Sequence, residues 1–188
     1  MNKFSKAILH IPCGILKVSI NKLFHPRSFK ASLKSAISPL TEISLNYGGK
    51  LSLGKNFKMR DGAKIRVRKN AECQIGNGVL INSNNIITVH EKVIIGDNVQ
   101  LSPGVLIYDH DHDFRCEGGL NAMQYRSSPI VIGNNVWIGA NTVILRGTVI
   151  GDNSVIAAGS VIKGEIPSDS VVYQKREKTI QTLGKIGL

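Results

Sequence analysis

Large side chains are scarce in this chain. Phe, Trp and Tyr make up 5% of the 188 residues, with one tryptophan, while glycine occurs 19 times, so small and branched residues must fill most of the core. Cysteine is scarce too. Cys13, Cys73 and Cys116 are odd in number and widely spaced, which argues against a disulfide framework or a zinc knuckle and favours a reducing cytoplasm. Acids are nearly missing from the basic N-terminal part (positions 1–70), where Glu42 and Asp61 face fifteen Lys/Arg, a balance of +13; the remaining nine Lys/Arg and eleven acids give −2. Such a basic end suits an anionic membrane surface, a polyanionic glycan or a plain solvated flank. Nucleic acid is not expected, because no helix-turn-helix, zinc-finger or RNA-recognition signature is present. No apolar run reaches the roughly 20 residues of a membrane span, since Pro12 and Lys17 interrupt "MNKFSKAILHIPCGILKVSI". No small-residue cleavage pattern follows it. The stretch reads instead as an amphipathic or partner-packing helix, with Ile8, Ile11, Ile15, Val18 and Leu23 roughly on one face.

What the chain does have is repetition. From Ile132 it divides into sixes: "IGNNVW", "IGANTV", "ILRGTV", "IGDNSV", "IAAGSV", "IKGEIP". Isoleucine opens each unit, at 132, 138, 144, 150, 156 and 162. The fifth place holds Val136, Thr142, Thr148, Ser154 and Ser160, all small or β-branched. The same phase runs upstream with small insertions, from Leu53 through "IGNGVL" at Ile75 and "IGDNVQ" at Ile95 to Ile107. A period of six fits neither a helix nor a plain amphipathic strand. It fits short strands joined by tight corners, each unit one wall of a triangular coil. First-place and fifth-place residues then point inward, and Gly, Asn and Asp supply the corners. Coils of this kind stack about 4.8 Å apart and need caps at both ends. The organisation that follows is a basic N-terminal helical segment (1–40), a coiled domain (41–172) and a C-terminal tail (173–188).

Residues 108–131 are the one large interruption. They begin "YDHDHDFR", with His110 and His112 among Asp109, Asp111, Asp113 and Arg115. A long excursion from so regular a body is more often functional than accidental. An imidazole there could act as general base. His110, His112 and a loop aspartate could instead ligate a divalent metal ion, or the run could be a solvated polar loop.

The repeat resembles the hexapeptide-repeat acyltransferases, whose fold is a left-handed parallel β-helix, and the resemblance covers roughly residues 41–172. It looks closest to the maltose, galactoside and xenobiotic O-acetyltransferase branch. In that branch an "IGDN" unit runs through a "P-[GN]-V" corner into a loop with the catalytic histidine, and this chain reads "IGDNVQLSPGVLIYDHDHDF". Counted without gaps from Ile95, the catalytic position falls on His112, with His110 the other candidate. The resemblance implies acetyl-coenzyme A as donor, a sugar hydroxyl as acceptor, no resident metal, and a trimer with each site between two prisms. A cell-surface or capsular saccharide or its precursor suits the branch and the basic flank.

The resemblance also implies Asn82, placed upstream of His112 at the family's spacing, as an acceptor contact; otherwise Asn82 is a corner residue. Trp137, in "VWIG", would border the donor, or pack under the loop. The backbone N–H of Ala140 would face the thioester carbonyl, Ala158 would wall the donor groove, and Lys163, Arg176, Lys175 and Lys178 would meet its phosphates or form a plain basic helical tail. Asp109 would orient a histidine or touch the sugar. Arg115 would contact an anionic sugar or cofactor, or pair with a loop aspartate. The chain departs from the pattern near its end: "IKGEIPSDSVVYQKREKTI" lacks the family's "G-N-P-A-K" segment. Two alternatives stand beside this reading. One is a non-catalytic scaffold β-helix, the other a zinc enzyme like the γ-type carbonic anhydrases of the same fold. Either way the protein would be cytoplasmic, with peripheral contact to the membrane through its basic end.

Overall fold

The computed structural model describes residues 3–175 and 177; Arg176 and Lys178 lie outside the described residues. After one N-terminal helix, Lys3–Phe24, the chain winds through three parallel sheets in rotation. The first face stacks seven strands, from Phe29–Ala31 to Glu165–Ile166. The second also stacks seven, from Ala36–Ile37 to Val171–Val172. The third stacks six, from Glu42–Leu45 to Val161–Ile162. The result is a mainly β, parallel solenoid of about six turns.

The register explains the phase of the sequence. Ile138 lies opposite Ile156 and Ile144 opposite Ile162, so each turn there is three sixes long. Earlier turns exceed three sixes: Leu51 faces Cys73, and Ile81 faces Leu101. The small upstream insertions are absorbed there in four-residue strands such as Lys64–Val67 and Ile86–Val89. The solenoid begins ahead of residue 41, where the repeat phase sets the boundary. Phe29–Ala31 and Ala36–Ile37 lack the six-residue signature yet pair with Leu51–Leu53 and Lys58–Met59.

The expected interior is the observed one. All six first-place isoleucines from 132 to 162 are buried, and so are Val136, Thr142, Thr148, Ser154 and Ser160. Each fully buried isoleucine contributes roughly 1.5–3 kcal/mol. The buried hydroxyls are satisfied locally: Thr148 donates to the Leu145 carbonyl at 2.6 Å and Ser160 to the Ala157 carbonyl at 2.7 Å. Asn85 is buried in the same column as Ser160. Its amide donates to the Asn82 carbonyl at 2.7 Å, and its Oδ1 has no partner among the described residues.

The corner between the first and second faces carries a side-chain ladder. The Asn77 N–H donates to Asp97 Oδ1 at 2.6 Å, the Asp97 N–H to Asn134 Oδ1 at 2.8 Å, and the Asn134 N–H to Asp152 Oδ1 at 2.6 Å. The Asn77 N–H, with the Asn77 side-chain amide, holds the Asp97 carboxyl below its usual range. The "GDN" and "GNN" triplets thus serve twice. Their second residue links turns, and their third, Asn98, Asn135 and Asn153, takes the positive φ of the bend. The glycine that opens them is required by contact: a Cβ on Gly96 would press into the Gly133 carbonyl and Asn134 Oδ1.

The helix caps the N-terminal end, and at the other end one edge is covered by a side chain. The helix lies against Ala36–Ile37 and runs unbroken through Pro12. Its buried line is His10, Gly14 and Val18 rather than the isoleucine stripe; Ile11, Ile15 and Leu23 are exposed, and the side chain of Ile8 lies outside the described residues. Gly14 sets that rotation, since any Cβ there would collide with the Ser35 carbonyl. Lys17 ties the helix down by donating to the Thr41 carbonyl at 2.6 Å and Oγ1 at 2.8 Å. At the far end the Gln174 side chain pairs with Val161 like a strand, donating to its carbonyl at 2.8 Å and accepting its N–H at 3.0 Å. The open edge of the third face is covered in that way.

Candidate active site

The long interruption leaves the solenoid at the corner between the third and first faces, after Leu106–Tyr108, and returns at Ile130–Ile132. Its root is a small antiparallel hairpin, His110–His112 paired with Tyr125–Ser127. Beyond it lie a short 3₁₀ turn, Gly119–Ala122, and Met123. Alternating His and Asp gives a period-two strand, which throws His110 and His112 to one side and Asp111 to the other. Asp111 then pairs with Arg146 on the next turn, and Asp113 with Arg126 across the hairpin at 2.9 Å. Arg126 and the Arg115 N–H hold the Asp113 carboxyl below its usual range.

Asp109 is fully buried. Its Oδ1 accepts the His90 N–H at 2.8 Å, and its Oδ2 accepts the N–H groups of Glu91 and Lys92 at 2.8 and 2.9 Å. One carboxylate thus satisfies the corner of the turn below. Asp109 Oδ1 also lies 3.2 Å from His110 Nδ1. The expected sugar contact of Asp109 is corrected on this ground: the residue has no surface to offer, and its role is to fix the corner and His110.

The rings form a cluster. His110 stacks on His90 with centroids 3.7 Å apart, Tyr125 tilts against His90 at 4.2 Å, and His112 meets Tyr125 at 4.7 Å. His110 is largely enclosed, whereas His112 is exposed on the hairpin. Burial, followed by the neighbouring His110, pushes the His90 imidazole down to about 4, so it is neutral at neutral pH.

The other candidates lie elsewhere on the same chain. Asn82 follows the second-face strand Leu80–Ile81, at the corner between the second and third faces. Ala140 and Ala158 occupy that corner too, one above the other, with Pro103 in the turn below Ala140; the strand registers Leu101 to Ile138 and Ile138 to Ile156 fix this stack. The Ala140 carbonyl accepts the Gly159 N–H at 2.7 Å, and its own N–H has no acceptor among the described residues. Trp137 is 54% exposed on the second face and donates to Ser102 Oγ at 3.0 Å. It does not pack under the loop, whose root is at the other corner. Lys163 is exposed at the last turn. Arg115 pairs with no aspartate among the described residues, because Arg126 and Arg146 take Asp113 and Asp111; its guanidinium lies 5.2 Å from the Phe114 ring centre.

Within one chain, then, the histidines and the Ala140 edge stand at different corners. Sequence reasoning missed Tyr125, Arg146 and the anchoring role of Asp109. Tyr125 lies inside the interruption with no repeat phase, and Arg146 holds an outward place of the "ILRGTV" unit, where the phase says nothing of a partner in the loop. Among the described residues no group of three or more His, Cys, Asp and Glu is arranged to hold a metal ion. Cys73 is buried, which pushes its thiol up to about 12, and none of the three cysteines is bonded to another.

Residues 129–164 match the family model described as bacterial transferase hexapeptide (six repeats). Over 139 residues the chain is 31% identical to WbbJ of Escherichia coli K12, named for lipopolysaccharide biosynthesis O-acetyl transfer, with 66% of this chain and 67% of that one covered. The galactoside O-acetyltransferase of the same organism is 45% identical over 97 residues, 52% of this chain and 47% of that one. The chain therefore spans about two thirds of the first relative and about half of the second. Among solved structures, a mutant of the N-acyltransferase AntD from Bacillus cereus, in complex with dTDP and coenzyme A, superposes with a TM-score of 0.68 at 18% identity, covering 89% of each chain. An acetyltransferase from Vibrio cholerae complexed with acetyl-coenzyme A gives 0.55 at 24% identity, covering 86% of this chain and 79% of that one. Both share the solenoid. The chain belongs to the hexapeptide-repeat transferase family.

Proposed function

We propose that the protein is an acetyl-coenzyme-A-dependent O-acetyltransferase acting on a sugar hydroxyl, with a cell-surface or capsular saccharide or its precursor as acceptor. The observation that carries this reading is the histidine hairpin: it stands where the repeat breaks, braced by Asp109 and Arg146, and it presents His112 to the outside. Relatives named as O-acetyltransferases support the reaction class.

His112 removes the proton of the acceptor hydroxyl, and the hydroxyl oxygen bonds to the acyl carbon of the thioester. The Ala140 N–H stabilises charge on the acyl oxygen. The carbon–sulfur bond breaks, and the imidazolium returns the proton to the leaving sulfur. Asn82 contacts the acceptor, and Trp137, Ala158 and Lys163 line the donor path. Because His112 and Ala140 occupy different corners, the reading places each site between two copies of a homotrimer. It locates the protein in the cytoplasm, with the N-terminal segment against the membrane. Leu16, Ile20, Leu23 and Phe24 are exposed apolar residues on that helix, and no described helix is long and apolar enough to cross a membrane.

Acetyl transfer by wild type, His112→Ala and His110→Ala tests the base. The expected loss in kcat for His112→Ala is about 10²–10⁴-fold, with a smaller loss for His110→Ala. Near-wild-type turnover by His112→Ala would remove it from the mechanism. Failure of acetyl-coenzyme A to bind at millimolar concentration would remove the donor, and with it this reading.

A further inference from the structure

Beside the histidine cluster lies an open pocket of about 450 Å³, lined by Asn46, Arg68, Lys69, His90, Met123 and Tyr125. No carboxylate lines it. Asn46, Arg68 and His90 each follow a third-face strand, in successive turns, so they form one column along the corner from which the loop emerges. The loop folds over that column and contributes Met123 and Tyr125.

The two cations in the pocket are uncommitted. Arg66, two positions before Arg68, is held by Glu42, with bonds of 2.7 and 2.9 Å. Arg68 and Lys69 make no ion pair or side-chain hydrogen bond among the described residues. Three of the four loop carboxylates are engaged elsewhere, Asp109 by three backbone N–H groups, Asp111 by Arg146 and Asp113 by Arg126, and the fourth, Glu117, does not line the pocket. The floor is the His90 ring, stacked on His110, so a group bound here lies within two rings of the proposed base.

Backbone strain marks the same place. Apart from glycine, the positive-φ residues of the described chain are asparagines and one aspartate at solenoid corners, with a single exception, Met123 at φ 50. An αL methionine is unfavourable in isolation, and strain of this kind concentrates at ligand clamps. Here it turns an exposed thioether over the pocket.

We propose that this pocket is an acceptor subsite for a negatively charged saccharide, in which Arg68 and Lys69 bind a carboxylate or phosphate carried by the sugar while Tyr125 and Met123 cover its apolar face. A planar guanidinium suits either oxyanion bidentately, and the ammonium adds a point charge. The inference rests on the O-acetyltransferase reading for the identity of the occupant as acceptor, but its binding arm stands without it.

The test uses the full chain and matched acceptors: methyl glucoside against methyl glucuronide, methyl galactoside against methyl galacturonide, N-acetylneuraminate, and hexose 1-phosphates. Ligand-observed NMR gives affinity, and transfer from acetyl-coenzyme A gives KM and kcat. At least one charged member should bind about tenfold or more tighter than its neutral partner, as a charge-assisted hydrogen bond supplies. That advantage should disappear in the Arg68→Gln/Lys69→Gln double variant and partly return in Arg68→Lys. The uronides and the 1-phosphates separate the two oxyanions. Equal affinity for charged and neutral members, or an advantage that survives the double variant, overturns the proposal. So does a double variant whose defect lies in the KM for acetyl-coenzyme A, because the cations would then serve the donor. If charged sugars bind through these residues but no acetyl is transferred, the subsite stands and the enzymatic reading falls.

Discussion

His90 and Asp109 show how single side chains set the chemistry of the loop. The carboxylate of Asp109 replaces a missing strand contact at the corner of residues 90–92, and the same oxygen that accepts the His90 N–H faces His110. His90 then packs against His110 and Tyr125, which half-bury its ring and leave the rest facing the pocket. Its folded pKa, about 4, lies below the ordinary value near 6.5. Above pH 6.5 neither the folded nor the unfolded chain protonates this ring, so its contribution to stability is complete and constant. Between 6.5 and 4 only the unfolded chain takes up the proton, and stability falls as pH falls. Thermal unfolding of wild type and His90→Gln should therefore converge as pH drops from 7 to 4, the wild type losing the larger share. A Tm difference that is flat over this window would show that the ring is not held neutral.

At the scale of elements, the three faces and their corners divide the work. Strands supply burial, and the corner ladder supplies register. Replacing Asn134 with Ala removes the acceptor for the Asp97 N–H and the side-chain donor to Asp152. Because the site is exposed, the expected cost is modest, roughly 1 kcal/mol, or a fall in Tm of about 2–4 °C for a chain of this size. Thermal melts of Asn134→Ala against a substitution at exposed Lys55, whose side chain is outside the ladder, would check it; equal Tm values would mean that strand pairing alone fixes the register. This level was largely legible in the sequence. Isoleucines in phase marked the inward columns, and Asn and Gly marked the bends, because both follow from the geometry of one repeating unit. The cap was less legible. Gly14 permits the rotation of the helix because any Cβ there would meet the Ser35 carbonyl, a contact between segments that no periodicity encodes, so the face that docks on the solenoid could not be read from the isoleucine stripe. The hairpin was legible as an interruption and as a pair of histidines. Its closure was not, since Tyr125, Arg126 and Arg146 meet their partners only after the loop has folded back.

For the whole molecule, the separation of His112 from the Ala140 edge is the decisive geometry. Pro103 occupies the position one turn below Ala140, so a proline is sterically acceptable there, and Ala140→Pro should remove the N–H while leaving the corner intact. Alone, His112→Ala and Ala140→Pro should each be nearly inactive. In the proposed homotrimer, unfolding the two variants together and refolding them as mixed oligomers should restore activity at about a quarter of the sites, as random pairing of neighbours in a closed ring provides. No recovery in verified mixed oligomers would place both groups within one chain or outside the reaction.

The register across the interruption has a wider consequence. Val93 meets Ile130, Leu101 meets Ile138 and Ile107 meets Ile144 with the same pairing found in uninterrupted turns. The body therefore does not measure the length of what leaves it at residue 109 and comes back at 129. Excursions of other lengths and sequences should be exchangeable at that point with the surrounding columns still in step, so that the hairpin would behave as a replaceable module in a constant frame.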